Sequence, residues 1–469
     1  MSEAAAALAH VWRLVGGDAR ALGQVRLTGT EPALPGRFRV GTAAVATIAA
    51  AGLGAAELWR ERGGRRQAVT VDMRAAAAAF RSERCLRLGG AAPPDPWSPV
   101  SGYYRAGDGR FILLHCNFPH HRAGTLKLLG CAESREAVAA ALQGWSAAAL
   151  EDALAAAGMC AGFVRSPEEW RAHPHARALA GLPLLEVIRL GDSPPEPLGP
   201  ARRPLAGVRV LDLTRVIAGP VCGRTLAEHG ADVLLVTAPH LPNIELLVMD
   251  GGRGKLSAQL DLRRVDDAER LRALIRDGDV FCQGYRPEAL AAHGLSPEAV
   301  ARLRPGIVYV SLSAYGHAGP WRARRGFDSL VQSVSGIAHE GGAAAGLDRP
   351  RPLPAQALDH ASGYLMALGA TTALRRRARE GGSYLVRVSL AQTGRWIDGL
   401  GRLEGPEAPE QRLEDVADLL DTSATPWGEI RHLAPAARLS ETPAYWARPA
   451  VPLGTHPPAW PERSEPAAT

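Results

Sequence analysis

Four short β-branched runs, each followed by a helix-compatible stretch, constrain this chain more than any other feature. VRVLDL (208–213), VLLV (233–236), VFCQGY (280–285) and IVYVSLSAY (307–315) read as strands. Between them PVCGRTLAEHG forms a short helix ended by Gly230, and a polar helix runs near 264–276. Another helix starts at Pro287 and a short one lies near 297–303. Strands that alternate with helices predict a parallel sheet with right-handed crossovers. Ligands bind such sheets outside the carboxyl ends of the strands, so the loops there carry the functional reading.

A chain of 469 residues exceeds one ordinary core, which predicts two or three domains. GAAPPDPWSPVSG (90–102) and GDSPPEPLGPARRPLAG (191–207) read as linkers. From about Ala424 onward the prolines and weak periodicity predict an extended wrap with a mobile end. A worn repeat is also present. GLGAAELWRERGGRRQAVTVDM (52–73) resembles ATTALRRRAREGGSYLVRVSL (370–390), and RLGDSP (189–194) echoes RLSETP (438–443). Both echoes occur in the same order, and the first copy holds an inserted module that includes residues 97–170.

Arginine supplies almost all the positive charge, since the only lysines are Lys127 and Lys255 and the net charge is +6. No arginine cluster is interleaved with aromatics, so no nucleic-acid partner is expected. A mild basic balance suits an anionic small molecule. The six cysteines form no C-x-x-C pair, which argues against a metal, redox or disulfide framework. His120–His121 and the H-P-H of His173 and His175 lack companions at ligand spacing and read as surface loops, so no metal is expected. The N-terminus does not have the pattern of a secretory signal. No stretch reads as the ~18 apolar residues of a membrane span. The expectation is a cytoplasmic chain with no membrane partner.

Several residues stand where a ligand would bind. DGGRGKLSAQLDL (250–262) is not a phosphate loop, because Met249 and Leu256 break that motif. It is either a glycine-rich turn before a strand or an anion site with charge from Arg253 and Lys255. Arg286 follows a strand at its carboxyl edge, and Tyr315 does so at the next one. In LPAQALDHASGYLMALGA (353–370), Asp359 precedes a helix whose basic end lies at the C-terminus. Asp359 is then a helix cap, or a carboxylate held ionised by the helix N-terminus and able to act as a nucleophile. Ala361, Ser362 and Gly363 leave room for a substrate to approach.

PLAGVRVLDLTRVIAGPVCGRTLAEHGADVLLV (204–236), with RGKLSAQLDL, GYRPEALAAHGLS, RPGIVYVSLSAYGHAGP, GFDSLVQSVSG and LPAQALDHASGYLMALGA, resembles the family III CoA-transferases. The resemblance is clearest over 204–395, with 38–80 a second, partial copy and 97–190 similar to the family's smaller domain. It implies an α/β fold: a Rossmann-like parallel sheet domain with a smaller α+β domain, in an internally duplicated architecture. It also implies an aspartate that attacks an acyl-CoA thioester, passing through a mixed anhydride and an aspartyl-CoA thioester. Asp359 falls on that aspartate. Lys255, Arg286, Gly219 and Pro220 fall on segments that line the CoA site. Ile217, Leu256, Gly284 and Glu288 depart from the family pattern. The implied partners are an acyl-CoA and a carboxylic acid acceptor, with the CoA thioester as substrate, no permanently bound cofactor, and a homodimer as one assembly.

The aligned repeat puts Gly41 near the place of Asp359, so the first copy lacks the carboxylate. The chain is then read as a degenerate first copy over 1–90, a small domain and return segment over 91–200, a CoA-binding domain with the nucleophile over 201–400, and a C-terminal wrap over 401–469. Two other functions remain open. The superfamily's α-methylacyl-CoA racemases would have a histidine before Asp328, where this chain has Phe327, leaving His360 as a substitute. A non-catalytic CoA-ester-binding chain is the other.

Overall fold

The computed structural model of the protein describes residues 2–462. The first half contributes strand β1 (Val25–Thr28), helix α1 (Val40–Glu61), strand β2 (Val69–Asp72) and, after an inserted module, strand β3 (Leu185–Gly191). The second half continues with β4 (Arg209–Leu213), α2 (Ala218–Glu228), β5 (Asp232–Thr237), β6 (Lys255–Gln259), β7 (Val280–Gln283) and β8 (Val308–Ser313). Helix α3 (Ala357–Glu380), β9 (Ser383–Ser389) and β10 (Ala437–Leu439) complete the frame.

The main sheet has seven strands in the order β6-β5-β4-β7-β8-β9-β3. All pairs are parallel except β9 with β3. Its strands are short apolar runs because helices cover both faces; Val210, Leu211, Val233, Leu234, Val280 and Phe281 are fully buried. The helix expected near 297–303 spans Pro297–Leu303, and the Ser296 side chain accepts the Ala299 N–H at its start. The glycine-rich turn after Met249 does lead into a strand, β6.

The halves are interlocked. β3, from the first half, is the antiparallel edge beside β9, from the second. Reciprocally β10, from the second half, is the antiparallel edge beside β2, from the first. These four strands hold the two pairs of sequence echoes. Between the sheets α1 lies on α3, and the approach is close: a Cβ at Gly54 would come within 2.6 Å of Thr371 Oγ1. On its other side α3 meets α2, where a Cβ at Gly363 would stand 2.5 Å from the Ala218 carbonyl oxygen.

Helix α1 corrects the count of apolar runs. By length and composition it meets the standard of a membrane span, but the whole qualifying window is buried inside the protein. Its alanines and glycines serve a tight helix–helix contact at the centre of the core.

The inserted module carries its own antiparallel sheet, from Gly102–Arg105, Phe111–Leu114 and Ala161–Phe163, and its own apolar cluster around Ile112, Leu114, Leu142 and Leu150. It docks on the helix Asp328–Val334: the Arg165 N–H donates to the Ser333 carbonyl at 3.3 Å, and the Tyr103 hydroxyl lies 3.1 Å from Ser333 Oγ.

The C-terminal region is less extended than its composition suggests. Leu420–Thr425 and Gly428–Leu433 form a hairpin that pairs with Arg87–Leu88. Beyond β10 no helix or strand is formed up to residue 462. That segment is held to the large domain by N–H donors, Tyr445 to Glu228 O at 3.1 Å and His456 to Ser257 O at 2.7 Å. Residues 463–469 of the expected wrap lie outside the described residues. All six cysteines are free thiols.

Candidate active site

The amino end of α3 decides what Asp359 does. The helix begins at Ala357, so Asp359 lies inside its first turn. The orphan N–H groups there are taken by a different carboxylate. Asp328 Oδ2 accepts the N–H of Leu358 at 2.8 Å and of Asp359 at 3.0 Å. Asp328 is in turn held by the side-chain amide of Gln332, whose oxygen accepts the Leu353 N–H at 2.7 Å. The helix is capped from a residue 31 positions earlier in sequence. The side chain of Asp359 is therefore not engaged as the cap and faces a cavity, with 8% of its surface exposed.

The same arrangement works against the ionised form expected from sequence. Burial raises the Asp359 carboxyl well above its ordinary value, and the nearby Asp328 and Glu83 carboxylates raise it further. The backbone donors that would have held it ionised serve Asp328 instead. Asp328 itself is pushed up to about 7 by burial, against the pull of its hydrogen bonds.

The cavity has a volume of about 320 Å³. Asp359, Asp328 and Glu83 line it, Glu83 coming from the helical turn Ser82–Cys85 of the first half. Leu86, Trp97, Ile217, Ile244, Leu246 and Phe327 supply apolar wall, and His115 and Asn117 reach it from the inserted module. His360 is adjacent in sequence but sealed: its ring stacks on Phe80 at 5.5 Å, and Nε2 lies 3.3 Å from Glu83 Oε2. Among the described residues no group of three or more His, Cys, Asp or Glu is arranged to hold a metal ion.

A smaller cavity of about 50 Å³ adjoins the first, and Phe118, Val216, Ile244 and Leu247 line both. Val216, at φ 71°, is the one non-glycine residue with positive φ among the described residues. For a β-branched residue that conformation costs roughly 1–2 kcal/mol, so strain is held where the two cavities meet.

The residues singled out from sequence divide between these places. Lys255 and Pro220 line the smaller cavity. Lys255 is 1% exposed, and its ammonium donates to Asp212 Oδ2 at 2.8 Å and the Pro220 carbonyl at 2.9 Å. Its charge is already paired. Arg253 is not among the lining residues of either cavity; it is buried against Asp250, donates to the Leu433 carbonyl at 2.7 Å and lies over Trp446. The free anion site expected of Arg253 is thus neutralised by Asp250. Tyr315 is buried edge-on to Trp321 and His175, away from both cavities. Arg286 is exposed and Gly219 packs on Thr214, and neither is among the lining residues.

Sequence reading missed Glu83, Asp328, His115 and Asn117. One signal was available: His115 and Asn117 stand two apart directly after a strand, the spacing that puts side chains on one side of an extended run. Glu83 gave none, because its role depends on packing between the two halves.

The sequence model of CoA-transferase family III matches residues 17–185 and 205–400. Acetyl-coenzyme A transferase nodX of Hypoxylon pulicicidum is 33% identical over 322 residues, 64% of this chain and 54% of that protein. The beta subunit of succinyl-CoA–L-malate CoA-transferase of Chloroflexus aurantiacus is 33% identical over 195 residues, 39% of this chain and 48% of that protein. Among solved structures, the hypothetical protein Rv3272 of Mycobacterium tuberculosis gives a TM-score of 0.38 at 31% identity, covering 42% of this chain and 58% of that one. The chain spans about half the length of the curated relatives it matches.

Proposed function

The chain belongs to CoA-transferase family III, and on that premise we propose that it moves CoA from an acyl-CoA to a carboxylic acid with Asp359 as the nucleophile. The observation that carries the reading is the Asp359 carboxyl group facing a cavity with apolar wall, at a helix end that Asp328 already caps. An Asp359 oxygen attacks the thioester carbonyl and the carbon–sulfur bond breaks, giving a mixed anhydride and CoA thiolate. The thiolate attacks the aspartyl carbonyl, which frees the first acid and leaves an aspartyl-CoA thioester. The acceptor carboxylate then attacks that thioester, and the expelled thiolate takes the acyl group and restores Asp359. No net proton is gained or lost. Water is the competing nucleophile, so apolar walls such as Leu246 and Phe327 suit the chemistry. The smaller cavity, with Pro220 and Lys255, lies on the side proposed for the CoA moiety.

The test is intact mass after mixing with a panel of acyl-CoAs. A CoA adduct on the peptide that contains Asp359 supports the reading, and its absence with every thioester sinks it. The charge crowding adds a prediction. Asp359 attacks only as carboxylate, and its raised value depletes that form, so adduct formation slows as pH falls. Glu83→Gln removes one of the carboxylates that push Asp359 up. The midpoint of the pH profile in single-turnover experiments is expected to move to lower pH in that variant. An unmoved midpoint would show that Glu83 does not bear on the nucleophile.

A racemase is supported less well. Phe327 stands where that activity needs a histidine, and the His360 ring faces Glu83 and Phe80. We infer further that the two halves are copies of one family unit, the first degenerate. Support comes from the two matched stretches, the reciprocally exchanged edge strands and the packing of α1 on α3. Gly41 occupies the first turn of α1 where α3 carries Asp359, giving one site per chain. That site draws Glu83 and His115 from the first half and Asp359 from the second.

A further inference from the structure

We propose that His115 and Asn117 form an uncharged donor pair that holds the carboxylate of the acceptor acid beside Asp359, and that this acid is a monocarboxylate with an apolar body. The inference rests on the transferase reading and deepens it.

An acceptor acid reaches this site against its charge. Asp359 is then a neutral thioester, but Glu83 and Asp328 line the same cavity, so an incoming carboxylate needs donors. The cations on the lining already have partners. Arg84 is exposed with its Nε 3.5 Å from Glu83, and Arg87 donates to the carbonyls of Arg84 at 2.9 Å and Leu86 at 2.7 Å.

The inserted module supplies what is lacking. Asn117 Oδ1 accepts the Ser98 N–H at 3.0 Å and the Ser101 hydroxyl at 2.6 Å. The Ser101 oxygen in turn accepts the Cys116 N–H at 2.9 Å. With two donors on its oxygen, the amide has one orientation, and its NH2 is the group left to present. The His115 ring lies flat on Phe327, 4.0 Å between centroids and 6° between planes, with Trp97 at its edge. His115 is 6% exposed, and its Nδ1 has no hydrogen-bond partner among the described residues. Burial pushes this imidazole down to about 4, so near neutral pH it is an uncharged ring with one N–H to give.

Two neutral donors suit one carboxylate and offer no counter-charge to a second. Leu86, Trp97, Ile244, Leu246 and Phe327 supply apolar wall for the body of the acid. In the step served, the acceptor oxygen bonds to the aspartyl carbonyl carbon and the carbon–sulfur bond breaks, its electron pair leaving on the CoA thiolate. His115 and Asn117 keep their protons throughout.

The experiment uses the full chain with hexanoate, isovalerate, phenylacetate and succinate as acceptors, and the CoA thioesters of the first three as donors. His115→Phe keeps a stacking ring but no donor; Asn117→Asp keeps the acceptor for Ser98 and Ser101 but loses the NH2. Each is expected to raise the KM for the monocarboxylic acid about tenfold or more, with the KM for acyl-CoA changed by less than about twofold. His115→Gln, which restores a donor, is expected to recover most of the loss. Wild-type enzyme is expected to prefer the monocarboxylates to succinate. An acid KM unchanged in both variants, or succinate taken as readily as hexanoate, overturns this proposal alone. A wild-type chain that forms no CoA adduct overturns the transferase reading and this proposal with it.

Discussion

Asp359→Asn is expected to abolish transfer, lowering kcat on the order of 10⁴-fold or more, and to leave the folded protein at least as stable as the parent at neutral pH. The amide has the shape of the carboxyl it replaces but forms no anhydride with an acyl group, so the CoA adduct should vanish from the mass spectrum. The stability half follows from linkage. An unfolded aspartate ionises near a pH of about 3.9, and the folded group does so at higher pH because burial, Asp328 and Glu83 oppose its charge. Between those two values the folded state holds more protons than the unfolded one. Stability therefore falls as pH rises through that window. Asparagine lacks this dependence. The melting temperature of the variant should match or exceed that of the parent at pH 7–8, with the difference closing toward pH 4. Turnover within tenfold of the parent would remove Asp359 from the chemistry. A large loss of stability at neutral pH would mean that the side chain is a structural anchor.

The sheet was legible because its strands are buried on both faces and so read as apolar runs, and the intervening helices carry ordinary caps such as Ser296. The echoes of residues 52–73 and 189–194 were legible too, although only the coordinates reveal that the paired strands are exchanged between halves. What sequence did not reveal was how the charges are paired. Lys255 and Arg253 look available in isolation, yet Asp212 and Asp250 pair with them inside the protein. Asp359 looks like a cap until Asp328 is found in that role from another helix. Each of these differences has one physical origin: a side chain's partner comes from a distant part of the chain, and local pattern is blind to it. The candidate site draws on both halves and the inserted module, so only Asp359, the proposed nucleophile, could be found locally.

The largest effect on folding is expected at Asp250, where the two halves meet. Its carboxylate accepts from Arg224 at 2.7 Å and from the Ser82 hydroxyl at 2.7 Å, and it is ion-paired with Arg253. Burial works against this charge, but Arg224 and Arg253 overcome it and hold the carboxyl well below the usual range. Asp250→Ala strands two buried guanidinium groups without a counter-charge, a loss of about 3–5 kcal/mol for a broken buried pair. Asp250→Asn keeps an acceptor but not the charge and should fall between. The sign with pH is opposite to that at Asp359. A lowered folded value contributes stability above the unfolded value of about 3.9 that is lost as pH falls through the folded one, so the parent and the alanine variant should converge in acid. Urea unfolding at neutral pH, read as a shift of midpoint at constant slope, measures the loss. A shift worth less than about 1 kcal/mol would mean that water reaches the cluster and screens the arginines. The expected loss also has a functional reach. Ser82 precedes Glu83, and Arg224 lies on α2, the helix that packs against α3 at Gly363. Loosening Asp250 should therefore disorder the carboxylate cluster around Asp359 and slow adduct formation even where the variant remains folded.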